Sequence, residues 1–295
     1  MIDRPALVVP FTKMNGAGND FIVLDNRFLY LSEEELAALA RRYCPRRTGV
    51  GADGLLALES PTDEERERGV HLRMRYRNAD GSLATMCGNG ARCIARFARS
   101  AGIDGDPLVL ETDAGVYRAE VPTDAEEPVR LHVPPPKDFG RCDVCPDLKD
   151  ALSGVWKIWT GTEHAVAFVR DVDFVEVEAV GRRIRHEKVF RPAGTNANFV
   201  EVIERGREGR SARVRVRTFE KGVEAETLAC GTGALAAALA ARLSGAVDVN
   251  TVEVRMPGGL LCVRFDYDES RSGDGVRNVS LEGPAEATFT GLLEL

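Results

Sequence analysis

CGNGARCIARFARSAG at residues 87–102 and CGTGALAAALAARLSG at residues 230–245 are two versions of one pattern, 143 residues apart and identical at eight of sixteen positions. The segments downstream of the two copies also agree. VLETDAGVYRAEV contains Gly115 and VEVRMPGGLLCVRF contains Gly259, and both read as strand, turn and strand, one residue out of register with that offset. Self-similarity at a long spacing marks a duplicated architecture. The length of 295 residues is that of two ordinary domains. The expected halves are 1–133, completed by a C-terminal segment 282–295, and 134–281, with Pro134, Pro135 and Pro136 as the linker.

The second copy continues as ALAAALAARL, residues 234–243, with almost no polar side chain. A helix that is apolar all round must be enclosed by protein, and the short strands of its half are the available cover. The expected fold class is therefore α/β (α+β), with two pseudo-symmetric domains, each a curved, barrel-like sheet around a central helix. The first copy carries Arg92, Arg96 and Arg99, so one side of that helix is expected to reach a rim or an interface.

Working outward, residues 11–25 (FTKMNGAGNDFIVLD) read as a Gly/Asn-rich loop followed by a strand. Residues 32–43 read as a helix, with Ser32 as N-cap, Glu35 completing a capping box, and Arg41 and Arg42 in the last turn. Residues 61–69 (PTDEERERG) read as a solvated charged turn, 70–78 as a half-buried strand, and 173–186 as a second amphipathic helix.

Composition sets the frame. Hydrophobic residues are 44%, charged 29% and aromatic 6%, an ordinary globular mixture. No apolar run approaches the ~20 residues of a membrane helix, and the N-terminal MIDRPALVVPFTKM lacks the pattern of a signal peptide. A net charge of -7 disfavours nonspecific binding to nucleic acid or anionic lipid. A cytoplasmic protein with reduced thiols is expected, and seven irregularly spaced cysteines do not form a disulfide framework. No zinc-ligand spacing is present: Cys142 and Cys145 form a lone CxxC, read as surface residues, while Cys44, Cys93 and Cys262 read as packing residues.

In each repeat the cysteine stands just before a helix. The glycines after it allow a tight turn and leave amide N–H groups exposed. Those groups and the helix dipole lower a thiol's pKa and also bind carboxylate. Pseudo-symmetry would set Cys87 and Cys230 facing each other, so that one thiolate removes a proton from a carbon and the opposite thiol returns one to its other face. Taken from the residues alone, a pair of small buried cysteines at helix starts and a redox pair remain open as alternatives.

Four motifs carry a resemblance over nearly the whole chain: FTKMNGAGNDF at 11–21, RNADGSLATMCGNGARC at 77–93, GTNANFVEV at 194–202 and FEKGVEAETLACGTGA at 219–234. Together, in this order, they resemble diaminopimelate epimerase. That resemblance implies two similar α/β domains, each a barrel-like sheet around a helix. It also implies a cofactor-independent enzyme that interconverts LL- and meso-diaminopimelate on the way to lysine and peptidoglycan. By the same resemblance Cys87 and Cys230 match the catalytic cysteines. Gly88 with Asn89, and Gly231 with Thr232, match backbone nests for the carboxylate at the reacting centre. Asn19 matches a substrate-binding asparagine, and Asn78, Asn196 and Glu220 match groups that read the distant amino-carboxylate end. Lys221 stands where the family has a cation for the distal carboxylate, and His164 matches a histidine near the site.

Two departures fall on the distal set. The family usually has Gly-Asn-Pro-His where this chain has Gly161, Thr162, Glu163 and His164, and Glu-Arg-Gly where it has Glu220, Lys221 and Gly222. Lys offers a point charge in place of the planar fork of Arg. The alternatives are a two-cysteine racemase of another α-amino acid, such as a histidine-type racemase, and a catalytically silent scaffold. The expected partners are a small-molecule amino-acid substrate and a second copy in a homodimer. No cofactor, metal, nucleic acid or membrane partner is expected.

Overall fold

The structure is a computed structural model and describes residues 8–142, 144, 154–271 and 275–295. The chain divides into two units, Met1–Leu131 with Gly283–Leu295, and His132–Glu282.

The first unit begins with a hairpin, not a loop and a strand. Phe11 already lies inside strand β1 (Val8–Gly16), and the Gly/Asn-rich stretch is the turn into β2 (Asn19–Asp25). Gly18 takes a φ of 89° there, open to glycine without steric cost. Helix α1 (Glu33–Tyr43) comes next, capped by Ser32 with Glu35 closing the box. Then come β3 (Gly54–Glu59), α2 (Asp63–Glu67), β4 (Leu72–Asn78), β5 (Leu83–Ala84), α3 (Gly88–Ser100), β6 (Leu108–Thr112), β7 (Gly115–Glu120) and β8 (Val129–His132). The stretch expected to be a charged turn thus contains a short helix. Thr62 and Glu65 form a second capping box, which buries Glu65.

The second unit runs β9 (Lys137–Cys142), β10 (Val155–Trp159), β11 (Glu163–Phe168), α4 (Val177–Arg185), β12 (Asn196–Glu204), β13 (Ala212–Glu220), β14 (Ala225–Thr227), α5 (Gly231–Leu243), β15 (Thr251–Met256), β16 (Gly259–Tyr267) and β17 (Val276–Gly283). The helix expected over 173–186 is split, with a 3-10 turn at Val172–Phe174 ahead of α4. Strand β18 (Glu286–Glu294) returns to the first unit and pairs antiparallel with β1. The proline run at 134–136 lies between β8 and β9.

The duplication is visible in the pairing. In the first unit β2 and β3 are parallel, β3 and β4 antiparallel, and β4 and β6 parallel, with Gly54 opposite Asn78. In the second, β11 and β12 are parallel, β12 and β13 antiparallel, and β13 and β15 parallel. Both sheets carry a helix on each face. Ile22 and Leu24 of β2 and Leu55 and Ala57 of β3 pack with Leu36, Leu39 and Ala40 of α1. Their neighbours Phe21, Val23, Leu56 and Leu58 are also buried, and α3 packs against the same strands. A strand covered on both faces reads as a continuous apolar run, which is why FIVL and GLLAL do not alternate.

Helix α5 is buried along ten of its thirteen residues and packs against β10 to β13, β15 and β16 of its own unit. The enclosure expected of an all-apolar helix is therefore present. Its counterpart α3 departs from the expected rim: Arg92 is 0% exposed and Arg96 is buried. Arg96 donates to the carbonyls of Pro122, Asp124 and Glu127, so its charge is spread over backbone oxygens inside the unit.

Candidate active site

Cys87 and Cys230 occupy the same position in their units. Each is the N-cap of its helix in extended conformation, φ -142° and ψ 122° for Cys87, φ -133° and ψ 105° for Cys230. Each sulfur accepts from the amide three residues on, Gly90 N at 3.5 Å and Gly233 N at 3.3 Å. This is the place of a serine or threonine cap, filled here by a nucleophile. Gly88 and Asn89, and Gly231 and Thr232, form the first turn beneath each sulfur, where helical N–H groups have no intrahelical acceptor. Both arrangements suit a thiolate beside an anion.

The two sulfurs differ in their other neighbours. The Cys87 thiol donates to Asn19 Oδ1 at 3.4 Å, and Asn89 Nδ2 donates to the same oxygen at 3.4 Å. Asn19 Nδ2 in turn donates to the Asp53 carboxylate. Cys230 contacts the hydroxyl of Thr232 at 3.5 Å. Gly233 has no room for a side chain: a Cβ there would lie 2.5 Å from Asn198 Oδ1 and 3.2 Å from the Cys230 sulfur.

A charged cluster backs Asn19. Lys13 pairs with Asp20 at 2.8 Å and donates to the Gly51 carbonyl, while Arg46 bridges Asp20 at 2.7 Å and Asp53 at 2.9 Å. Burial works to raise the Asp20 pKa, but hydrogen bonds from Arg46 and Lys13 outweigh it and hold the carboxyl below the usual range. Sequence reasoning did not single out Asp20, Asp53, Lys13 or Arg46. Lys13 and Asp20 lie inside the first quoted motif and Asp53 lies in none, and the parallel pairing of β2 with β3 brings Asp20 and Asp53 together.

Of the residues expected to read the distal end, Thr162, Asn196, Glu220 and Lys221 gather at one end of β11, β12 and β13. Lys221 Nζ pairs with Glu163 at 2.7 Å, and Thr162 Oγ1 donates to the same carboxylate at 3.1 Å. The two departures from the family pattern thus meet in one ion pair. The Asn196 Oδ1 accepts from Lys221 N at 2.7 Å, so Asn196 holds the turn that carries the lysine. Glu220 lies at the end of β13, beside that turn. Asn78 ends β4 in the other unit and donates to Ser82 at 3.0 Å.

His164 is fully buried on β11 between two asparagines, with Asn198 Nδ2 3.1 Å from Nδ1 and Asn196 Nδ2 3.5 Å from Nε2. Burial, reinforced by the nearby Lys221 charge, pushes its pKa down to about 3. It is a neutral ring at neutral pH, held between the two asparagines. The remaining thiols are set apart by their surroundings. Burial drives the pKa of both Cys44 and Cys93 up to about 12, which leaves them unreactive. Cys142, expected at the surface, is 9% exposed and donates to the Val155 carbonyl, while Cys145 lies outside the described residues. Among the described residues no group of three or more His, Cys, Asp or Glu is placed to hold a metal ion.

The profile of the diaminopimelate epimerase family matches residues 11–137 and 157–285. Among individual relatives, the diaminopimelate epimerase of Chlorobaculum tepidum is 42% identical over 96% of this chain and 100% of its own length. That of Aquifex aeolicus is 38% identical over 96% of this chain and 97% of its own. A solved phenazine biosynthesis protein of the PhzF family from Bacillus anthracis superposes with a TM-score of 0.69 at 16% identity, covering 97% of this chain and 99% of that one. A probable proline racemase from Agrobacterium radiobacter gives a TM-score of 0.66 at 16% identity, covering 97% and 92%. These last two are likenesses of fold. The sequence relatives, matched end to end, and the family profile, matched in both halves, carry the assignment: this chain belongs to the diaminopimelate epimerase family.

Proposed function

We propose that the protein interconverts LL- and meso-diaminopimelate in the cytoplasm, using Cys87 and Cys230 as an acid–base pair and no cofactor. The observation that carries this reading is the equivalent capping geometry of the two cysteines. Each is an N-cap sulfur that accepts an amide hydrogen bond at the head of a buried helix. One thiolate takes the α-proton and becomes a thiol. The other thiol gives its proton to the opposite face of the carbanion and becomes a thiolate. The two sulfurs exchange charge states, and the stereocentre is inverted. Gly88 with Asn89 and Gly231 with Thr232 supply backbone N–H groups for the α-carboxylate, whose charge grows as the α-carbon loses its proton. Asn19 contributes at the reacting centre. Asn78, Asn196, Glu220, Lys221 and Thr162 serve the distal end, and two copies of the chain assemble as a homodimer.

Removing a general acid or base typically costs 10²–10⁴-fold. Cys87→Ala and Cys230→Ala should each lower kcat/KM for LL-diaminopimelate by about 10³-fold or more, with circular dichroism and Tm close to wild type. Near-normal turnover by either folded variant overturns the two-cysteine mechanism.

A second reading, a racemase of another α-amino acid, is favoured by one observation. Lys221, the cation of the distal set, is engaged by Glu163 of its own chain. Assay of LL-diaminopimelate beside a panel of single-centre L-amino acids, histidine among them, separates the two readings.

A further inference from the structure

Asn19 and Asn89 are amides, and an amide's effect on a neighbour depends on which end it presents. Here both ends of the chain of amides are fixed by ionic groups. Arg92 can only donate, and its Nη2 meets Asn89 Oδ1 at 2.9 Å, which turns Asn89 Nδ2 toward Asn19. The Asp53 carboxylate can only accept, and it takes Asn19 Nδ2, which turns Asn19 Oδ1 toward Cys87. Asp53 is itself held, accepting from Asp20 N at 3.1 Å and pairing with Arg46. The Cys87 sulfur therefore meets a carbonyl oxygen, a partner that a thiol satisfies and a thiolate does not. Cys230 has no such constraint from Thr232, whose hydroxyl can donate or accept.

We propose that Asp53 is a positioning residue for the reaction: acting through Asn19, it presents a carbonyl oxygen to Cys87 and holds that thiol in its proton-donating form. The inference rests on the reading of Cys87 as one of the acid–base pair and adds a residue that touches neither substrate nor reacting atoms. Several charged or titratable groups surround Cys87. Arg92 and the Cys93 thiol share its helix, and Asp53 precedes β3. Asp20 and Lys13 belong to the opening hairpin, Arg46 lies beyond the end of α1, and Glu286 on β18 lies beyond Cys93. Arg92 is fully buried and interacts electrostatically with Cys87, so its charge favours the thiolate. The Asn19–Asp53 arrangement opposes it. A sulfur that must lose and regain a proton in one cycle is served by that balance.

The test is the pH dependence of iodoacetamide alkylation at Cys87 and at Cys230, read by peptide mapping on the substrate-free protein. In Asp53→Asn the acceptor-only partner is gone, and the Asn19 amide is released to turn its NH₂ toward the sulfur. The midpoint for Cys87 should fall by about one pH unit, a tenfold change in proton affinity, while that for Cys230 stays in place. Asn19→Ala, which removes the oxygen itself, should shift Cys87 in the same direction. An unmoved Cys87 midpoint in either folded variant overturns the proposal, as does an equal shift at both cysteines. A third readout needs no change at Asp53. The Raman spectrum of the wild type minus that of Cys87→Ser should contain a red-shifted, hydrogen-bonded S–H band at neutral pH, and its absence overturns the proposal as well. None of these measurements uses substrate. A wild type that fails to turn over diaminopimelate would count against the proposed function and leave the role of Asp53 to be decided by the thiol titration.

Discussion

Lys221 and Glu163 show how a residue's meaning depends on what stands beside it. Read alone, Lys221 is a cation for the distal carboxylate of the substrate. In the structure its ammonium lies 2.7 Å from Glu163, and burial of that carboxylate is outweighed by Lys221, which holds the Glu163 pKa below its ordinary value. Substrate carboxylate and Glu163 thus compete for one charge. Removing one partner of a buried charged hydrogen bond costs ~2–5 kcal/mol, so with the substrate carboxylate enclosed beside it Lys221→Ala should lower kcat/KM for LL-diaminopimelate by at least ~30-fold. Glu163→Gln removes the competitor and should lower KM several-fold with kcat little changed. Steady-state kinetics of both variants check this, and a neutral Lys221→Ala would point to a substrate without a distal carboxylate. The cysteines, glycines and asparagines of the candidate site could be singled out from the sequence because each lies within a short motif. The Lys221–Glu163 pair, the Asn19–Asp53 contact and the burial of Arg92 could not. The first depends on the pairing of β11 with β12 and of β12 with β13, the second on the parallel register of β2 on β3, and the third on the packing of α3 against β1 to β4, all of which join segments far apart in the chain.

The elements are set by caps and by faces. Helix α1 was readable from Ser32 and Glu35, whereas the same device at Thr62 and Glu65 is masked by a run of charges that reads as solvent-exposed turn. The opening of α5 is tighter than that of α3. An added Cβ at Gly90 would meet Leu56 Cδ2 at 3.3 Å, a flexible side-chain end, but at Gly233 it would meet Asn198 Oδ1 at 2.5 Å. Asn198 has little freedom, since it donates to Ala165 O at 2.9 Å and accepts from Thr218 Oγ1 at 3.0 Å. Overpacking of this kind costs ~1–3 kcal/mol. Gly233→Ala should therefore lower Tm by several degrees and Gly90→Ala by less, as measured by thermal unfolding. Equal effects would show that the two helix starts are not as differently packed as these distances require.

For the molecule as a whole, the repeat was legible because a duplicated motif survives in both halves, and the all-apolar α5 implied its own enclosure. The buried arginines of α3 were not legible, since a charged residue on a helix face ordinarily marks solvent. Burial of His164 on β11 has a consequence for stability. The His164 pKa lies at about 3 in the folded state, below its unfolded value of ~6.5, so the unfolded chain binds more protons between those limits. Its contribution is fully present above pH ~6.5 and is lost as pH falls toward 3. Between pH 7 and pH 5, wild type should lose about 2 kcal/mol more unfolding free energy than His164→Gln, as read from denaturant titrations; equal losses would contradict a neutral buried imidazole. The central claim, inversion by two protein thiols, is tested most directly by incubating LL-diaminopimelate with the wild type and with each cysteine variant in D₂O. Wild type should form meso-diaminopimelate carrying one deuterium at the inverted α-carbon, seen by NMR and mass spectrometry, while Cys87→Ala and Cys230→Ala form none at a comparable rate. Meso product formed at a near-normal rate by either folded variant, or formed by the wild type without deuterium at the inverted carbon, would contradict it.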